Sequence, residues 1–248
     1  MEIVKNICYG TRNERDHLMD IYLPEKREGF ATFVYFHGGG ITGGCKDGMY
    51  AFVQTLVDAG YAVVQANYRL YFAASYPDFI DDAARCVDYV INHIEEYGGD
   101  KEKIVVGGSS AGGYISMMLA FDSFFLNRYG KIPNNIAGWV FDAGQPTTHF
   151  NVLKERGIDS RAVIIDRAAP IFHIRQYSGL KPMIVFAADN DMPGRLEQTH
   201  LMLHTLKHFG YPEENIKFEF MEGFTHCKYT GQQIFADKVL AFLKEKIK

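Results

Sequence analysis

The sequence has few cysteines, no cluster of basic residues and no long apolar run. Its four cysteines are scattered among 248 residues, without the paired spacing of a zinc site or a disulfide framework. The formal net charge is −4, and no run of Lys and Arg supplies the basic surface that nucleic acid requires. No apolar stretch approaches the length of a membrane-spanning helix. The composition therefore argues against nucleic-acid and membrane partners.

The N-terminus lacks the features of a secretory signal. The first twenty residues, MEIVKNICYGTRNERDHLMD, contain neither a basic start nor the continuous apolar segment of a signal peptide. Together with the scattered cysteines, this predicts a reduced protein of the cytoplasm.

The chain contains enough apolar material for one large core, since 47% of its residues are hydrophobic. A length of 248 residues is common for a single α/β domain, and we predict one domain over residues 1–248. Short apolar runs alternate with segments of helical spacing. The predicted strands are 3–9, 17–23, 31–36, 61–67, 103–107, 137–142, 183–188 and 216–221. The predicted helices are 51–59, 78–97, 111–121, 196–209 and 232–247.

This alternation predicts an α/β fold with a mostly parallel central sheet and helices on both faces. Residues 145–176 break the alternation. We expect them to form a small cap insertion over one end of the sheet.

A Gly-x-Ser-x-Gly motif lies between a predicted strand and a predicted helix. It runs from Gly108 to Gly112 with Ser110 at its centre. A nucleophilic serine occupies such a strained strand-to-helix turn, where side chains at the two glycine positions would collide with the backbone. Ser110 is therefore the candidate nucleophile, since Ser109 lacks glycines at both flanking offsets. An ordinary glycine-rich turn that holds a phosphate would show the same five residues.

A second glycine-rich loop, His37-Gly38-Gly39-Gly40, follows the predicted strand 31–36. Acyl transfer requires N–H donors aimed at the carbonyl oxygen as it becomes negative. The backbone N–H groups of Gly39, Gly40 and Ala111, the residue after the candidate nucleophile, fit this oxyanion hole. We expect His37 to order the loop by hydrogen bonding.

Residues 38–43 of this loop also match Gly-x-Gly-x-x-Gly, a pattern of dinucleotide sites. That interpretation needs an acidic residue at the end of the next strand, where the sequence has Asn67. A P-loop is also disfavoured, because residues 43–47 lack Gly-Lys-Ser/Thr. No nucleotide cofactor is expected.

A serine nucleophile needs a histidine to accept its proton and a carboxylate to orient that histidine. In this kind of fold the chain order is serine, acid, histidine. Asp189 and Asp191 follow the predicted strand 183–188, and His226 follows the last one. Asp191 is the preferred acid because it lies farther out on the loop, and Asp189 is the alternative.

Three other histidines recur at metal-binding spacing on one predicted helix: His200, His204 and His208. No cysteine or acid completes a ligand set, so we expect no metal site.

These motifs resemble the α/β-hydrolase superfamily, and in particular its small HGGG-type esterases. The resemblance includes the hormone-sensitive-lipase-like group and bacterial acetyl and feruloyl esterases. The matching segments span roughly residues 17 to 246 and are 37–40, 67–70, 76–77 with Asp81 and Asp82, 108–112, and the Asp191/His226 pair. The resemblance implies a carboxylesterase without a cofactor. In it, His226 takes a proton from Ser110 and returns it to the leaving alcohol, and water then hydrolyses the acyl-enzyme.

The resemblance also bears on substrate size. Residues 1–16 are too few for the N-terminal cap of the hormone-sensitive-lipase-like group, and the insertion at 145–176 is short. A shallow site for small acyl groups such as acetyl is expected, with a small-molecule or carbohydrate ester as substrate. The aromatic residues predicted to line it are Tyr71, Phe72, Tyr76, Phe150 and Phe172.

Two other functions are compatible with the resemblance. Peptidases of the prolyl-oligopeptidase type share this catalytic domain but usually carry a large accessory domain. Some ligand-binding receptors keep the fold and lose a member of the catalytic triad, whereas this sequence has a candidate for all three.

Overall fold

A computed structural model describes residues 1–10, 15–26, 28–48 and 50–247. The strands are β1 (Glu2–Cys8), β2 (Leu18–Leu23), β3 (Phe30–Phe36), β4 (Ala62–Ala66), β5 (Gly99–Ser109), β6 (Gly138–Asp142), β7 (Met183–Asn190) and β8 (Ile216–Thr225). The α-helices are α1 (Ala51–Asp58), α2 (Asp78–His93), α3 (Ala111–Phe121), α4 (Ser123–Asn127), α5 (Phe150–Glu155), α6 (Arg195–His208) and α7 (Gln233–Lys246).

The strands form one eight-stranded sheet in the order β1-β2-β4-β3-β5-β6-β7-β8. β2 pairs antiparallel with both β1 and β4. Every neighbouring pair from β4 to β8 is parallel. The predicted mostly parallel sheet is thus confirmed. The short helices α4 and α5 were not predicted, and β8 extends beyond its predicted end.

The central strands are buried because helices cover both faces of the sheet. Along β3, Val34 and Phe36 pack into one core layer, whereas Phe33 and Tyr35 pack into the other. This is the alternation expected of a strand covered on both sides. Helices α2, α3 and α6 contribute to the first layer, and α1 and α7 to the second. The predicted helices on both faces are confirmed.

Parallel strands bring their carboxyl ends to one edge of the sheet, and in open α/β sheets ligands bind at that edge. The loops that follow β3, β5, β7 and β8 all leave from it. They contain, in turn, residues 37–40, Ser110, Asp191 and His226. The topology therefore gathers four distant segments of the sequence.

Residues 145–176 connect β6 to β7 and contain α5 and a 3-10 turn at Pro170–His173. The side chain of Asn151, on α5, donates a hydrogen bond to the carbonyl of Gly40. The division into one domain with this segment as a cap stays a prediction, and residues 11–14, 27, 49 and 248 of that domain lie outside the described part. None of the described helices combines the length and apolar character that a bilayer crossing demands.

Candidate active site

Ser110 lies on a sharp turn between β5 and α3, with φ 54° and ψ −111°. Residues other than glycine rarely adopt a positive φ, so the backbone at Ser110 is strained. The two glycines of the motif permit the turn. A Cβ on Gly112 would lie 2.6 Å from the carbonyl carbon of Phe36, and one on Gly108 would lie 2.6 Å from the carbonyl carbon of Gly112. The predicted steric requirement for glycine is therefore confirmed.

A chain of two hydrogen bonds starts at this serine. Ser110 Oγ lies 2.8 Å from Nε2 of His226, and Nδ1 of the same ring lies 2.5 Å from Oδ1 of Asp191. The Asp191 side chain is only 1% exposed, whereas that of His226 is 24% exposed. A carboxylate that accepts from Nδ1–H leaves Nε2 as the acceptor for the serine hydroxyl.

Asp189 occupies a different environment at the end of β7. It is exposed, and its carboxylate accepts from the backbone N–H of Asn190 at 3.0 Å. Hydrogen bonding from the backbone N–H of Gly223, more than any other contact, lowers the pKa of Asp189. The structure thus brings Ser110, His226 and Asp191 together and leaves Asp189 outside.

The glycine loop runs directly beside the nucleophile. A Cβ on Gly38 would lie 3.3 Å from Cβ of Ser110. Gly39 and Gly40 have φ values of +115° and +64°, which glycine adopts without cost. The third predicted donor, Ala111, is the first residue of α3, where a backbone N–H has no acceptor within the helix. Gly39 and Gly40 therefore line the same cavity as Ser110, and Ala111 follows Ser110 directly.

His37 holds this loop in place. Its Nδ1 lies 2.7 Å from the carbonyl oxygen of Gly38, and its ring stacks on that of Tyr68 with 4.4 Å between centroids. Tyr68 also donates from its hydroxyl to the carbonyl of His37 at 2.8 Å. Burial lowers the pKa of His37, so the ring is neutral at pH 7. The predicted loop-ordering role is confirmed by these contacts.

A buried polar network lies beneath the turn at Ser110 and was not predicted from the sequence. The carboxylate of Asp142, at the end of β6, accepts from the hydroxyl of Ser109 and from Thr230 Oγ1 at 2.6 Å. Tyr35 donates to the Ser109 hydroxyl at 3.0 Å, and the backbone N–H of Ser110 donates to the Asp142 carbonyl at 2.8 Å. Burial raises the pKa of Asp142. Ser109 is therefore engaged in supporting the turn.

The sequence contains one indication of the Asp142 network, but it can be interpreted only when the strand order is known. Asp142 ends a predicted strand, and in the parallel pairing it lies opposite Ser109. An acidic residue at that place is buried under the candidate nucleophile. Without the register of β5 and β6, nothing connects two residues so far apart in sequence.

A cavity of about 530 Å³ opens at Ser110 and His226. Its larger side chains are Tyr35, Tyr50, Phe150 and Met192.

Of the five aromatic residues predicted to line the site, Phe150 alone borders this cavity. Phe72 is 83% exposed and stacks on Tyr71. Tyr76 donates from its hydroxyl to the carbonyl of Arg167, and Phe172 lies beneath the guanidinium of Arg175. The prediction for Tyr71, Phe72, Tyr76 and Phe172 is therefore corrected: other contacts engage these side chains, and residues from a strand and two loops replace them at the wall.

Comparison with known proteins finds similarity to ester hydrolases. The family model BD-FAE matches residues 19–137. Among curated relatives, the probable carboxylic ester hydrolase LipM of Mycobacterium tuberculosis is 35% identical over 119 residues, which cover 46% of this chain and 27% of the relative. Carboxylesterase NlhH of the same species is 38% identical over 98 residues, covering 39% and 31% respectively. The chain thus spans about a quarter to a third of the length of these relatives.

Solved structures match over nearly the whole chain. A truncated carbohydrate esterase from gut microbiota has a TM-score of 0.80 at 19% identity, covering 100% of this chain and 97% of the other. Esterase 2 of Thermogutta terrifontis, phosphoramylated by tabun, has a TM-score of 0.79 at 21% identity, covering 97% and 93%. These likenesses confirm the fold expected from the motifs. The chain therefore has the α/β-hydrolase fold, and residues 37–40 of this fold carry the HGGG sequence.

Proposed function

We propose that this protein is a serine carboxylesterase that hydrolyses short-chain, acetyl-like esters through an acyl-enzyme on Ser110. The observation that carries the proposal is the continuous hydrogen-bonded chain from Ser110 through His226 to the buried Asp191. This chain opens on a cavity of about 530 Å³ beside the glycine loop. The names of relatives such as NlhH, a carboxylesterase, support the assignment.

Acylation begins when Nε2 of His226 takes the proton of the Ser110 hydroxyl. The Oγ then attacks the ester carbonyl carbon, and the carbonyl oxygen becomes negative. Backbone N–H groups of Gly39, Gly40 and Ala111 donate to this oxyanion, and one such donor typically lowers the barrier by about 3–4 kcal/mol. Asp191 stabilises the imidazolium that forms.

Collapse of the tetrahedral intermediate breaks the bond to the alcohol. His226 returns the proton to the departing oxygen, and the acyl group remains on Ser110. A water molecule then gives a proton to the same nitrogen and attacks the acyl carbon. As the bond between that carbon and Ser110 Oγ breaks, His226 returns the proton to Oγ, which releases the acid and restores the hydroxyl. Side chains, substrate and water account for every proton and bond in this cycle.

Contacts of residues 145–176 with the glycine loop support a limit on substrate size. Asn151 donates to the Gly40 carbonyl, and a Cβ on Gly40 would lie 3.4 Å from Cζ of Phe150. We infer that this segment caps the site and confines the group that lies against the glycine loop to a short chain.

The substrate class is a small-molecule or carbohydrate ester. The cytoplasmic location and the lack of nucleic-acid and membrane partners stay predictions from the sequence.

The test is a series of p-nitrophenyl esters of increasing acyl length, assayed beside acetylated sugars. Rates should be highest for acetate to butyrate and fall for longer chains. Ser110→Ala should lower kcat by at least about 10³-fold and abolish labelling by a fluorophosphonate probe. Ser109→Ala is the matched control: it weakens the support of the turn but keeps the nucleophile, so labelling should persist.

Three results would contradict the proposal. Survival of ester hydrolysis in Ser110→Ala would show that another group is the nucleophile. Hydrolysis of an aminoacyl-proline amide without hydrolysis of p-nitrophenyl acetate would indicate a peptidase. Tight binding of a small ligand by a protein that the fluorophosphonate does not label would indicate a receptor.

A further inference from the structure

A second cavity of about 270 Å³ lies directly against the first. The two cavities share Phe150 and Met192 as a common wall. Among the described residues that line the second cavity none is acidic, and two, Arg161 and Arg195, are basic. This local positive charge contrasts with the net charge of −4 of the chain.

Arg195, the first residue of α6, is the unusual member of this cavity. It is only 4% exposed, and no described carboxylate lies within ion-pair distance of its guanidinium. Its Nη1 donates to the carbonyl of Ala143 at 2.5 Å, and its Nη2 donates to Oε1 of Gln145 at 3.2 Å. Burying a cation without a paired anion costs several kcal/mol in general, and the group remains charged because arginine does not deprotonate in proteins.

The second arginine does not supply an equivalent charge. The guanidinium of Arg161 is exposed and pairs with Asp159 at 2.6 Å. Asp191, whose charge acts on Arg195 from beyond ion-pair distance, is hydrogen bonded to His226. The buried charge of Arg195 therefore lacks a dedicated carboxylate among the described residues, in a cavity that shares Phe150 and Met192 with the cavity at Ser110.

A neutral donor adjoins this charge. Gln198, one turn farther along α6, accepts from Thr147 through its Oε1 at 2.8 Å. Its Nε2 donates to no described group, and the side chain lines the same cavity as Arg195. A carboxylate between the two side chains would receive charge-assisted hydrogen bonds from the guanidinium and an amide N–H, the combination that binds such groups best.

We propose that the second cavity binds a carboxylate carried by the substrate, so that the preferred esters are anionic. This inference rests on the proposed esterase function and specifies its substrate class. The anion belongs either to the acyl part, as in a half-ester of a dicarboxylic acid, or to the alcohol part, as in an acetylated hydroxy acid. In either case the ester bond lies at Ser110 and the anion lies beyond Phe150 and Met192.

The experiment compares two matched pairs of substrates. Mono-p-nitrophenyl succinate against p-nitrophenyl butyrate tests an anion on the acyl side. Para-acetoxybenzoate against para-acetoxybenzamide tests an anion on the alcohol side. The readout is the ratio of kcat/KM for the anionic ester to that for its neutral partner, which cancels general losses of activity.

We expect one of the two pairs to show preference for the anionic ester in the wild type. Arg195→Gln should lower that ratio by about 10- to 100-fold, the usual value of a hydrogen bond to a charged group. Arg161→Gln, the matched loss of an exposed arginine, should change it less than about threefold.

Because Arg195 also holds the Ala143 carbonyl, its loss can impair folding. Ser160→Asp leaves Arg195 in place, adds a negative charge at the rim of the cavity and should lower the ratio about threefold.

Equal ratios in wild type and Arg195→Gln for both pairs, or an effect confined to Arg161→Gln, would overturn the proposal. If Arg195→Gln does not fold, an unchanged ratio in Ser160→Asp would overturn it instead. The neutral esters distinguish this failure from that of the proposed function. Hydrolysis of p-nitrophenyl butyrate that depends on Ser110 shows that the esterase assignment stands while the anion site is wrong.

Discussion

Asp189 and Asp191 lie two residues apart at the end of β7. Of the two, Asp191 contacts His226. Asp191→Asn should lower kcat for p-nitrophenyl acetate by about 10³–10⁴-fold, because the amide favours the wrong tautomer of the histidine. The matched change Asp189→Asn removes an exposed carboxylate that contacts backbone N–H groups, so kcat should stay within about threefold of wild type. A larger loss in Asp189→Asn than in Asp191→Asn would reverse the assignment of the acid.

His149 makes stability depend on pH. Burial, followed by the charges of Arg195 and His226, lowers its pKa from 6.5 to about 3. The unfolded chain binds this proton below pH 6.5, whereas the folded chain does not until about pH 3. Its contribution to stability is therefore full above pH 6.5 and is lost progressively as the pH falls. Between pH 7.5 and pH 5 the loss is about 2 kcal/mol.

The check on His149 is urea unfolding of wild type and His149→Asn at both pH values. Nδ1 of His149 accepts from the backbone N–H of Asn151 at the start of α5, and asparagine preserves such a cap. The wild type should lose more free energy of unfolding on acidification than the variant does. Equal losses in the two proteins would mean that the histidine is protonated in the folded state.

At single positions, the sequence predicts which side chains meet where chain order constrains them. Ser110, Asp191 and His226 follow the ends of β5, β7 and β8, and those ends meet at one edge of the sheet. Lining residues of the cavity obey no such rule. Tyr50 precedes α1 and Met192 follows the acid, and their place at the wall results from packing between segments far apart in sequence. Aromatic residues near a motif are therefore a poor guide to a pocket.

The turn between β5 and α3 tolerates no added atom at its second glycine. Gly112→Ala would push a methyl group into the carbonyls of Phe36 and His37, so β3 and α3 would have to separate. The expected cost is at least about 3 kcal/mol of unfolding free energy. Gly231→Ala is the control, since a Cβ there meets nothing within 4 Å. Thermal unfolding should show a large fall in Tm for the first variant and little change for the second.

The elements that sequence reasoning missed are the shortest ones. α4 and α5 have 5 and 6 residues, less than two turns, so neither repeats an apolar face that a helical period would reveal. Asp122 begins α4 by accepting from the N–H of Phe124, which is a capping signal but is equally common in turns. Longer helices such as α2 bury apolar residues on several successive turns, and their sequence pattern predicted them.

At the scale of the whole molecule, a buried ion pair joins β2 to the segment that follows the glycine loop. Lys46 Nζ lies 2.9 Å from the carboxylate of Asp20 on β2, with both side chains at most 5% exposed. Lys46→Met should lower the free energy of unfolding by about 3–5 kcal/mol, because it leaves Asp20 buried without its cation. Adding Asp20→Leu should recover part of the loss. Urea unfolding measures both, and a double variant no more stable than Lys46→Met would contradict the pairing.

The strand order illustrates what alternation along the chain cannot reveal. Alternating strands and helices predicted a mostly parallel sheet, but β4 lies between β2 and β3, and β2 runs antiparallel to it. Such pairings depend on which apolar faces the whole chain can bury together. The same holds for the pairing of Ser109 with Asp142 and for the second cavity, both of which depend on contacts between distant loops.

The wall formed by Phe150 and Met192 bears on how the substrate range of such a protein could diverge. One side chain belongs to the first turn of a short helix and the other to a loop, so neither supports the central sheet. A smaller residue at either position would widen the space shared by the two cavities while Ser110, His226 and Asp191 keep their places. New preferences for bulkier esters are therefore accessible through single codon changes that leave the folding core unaltered.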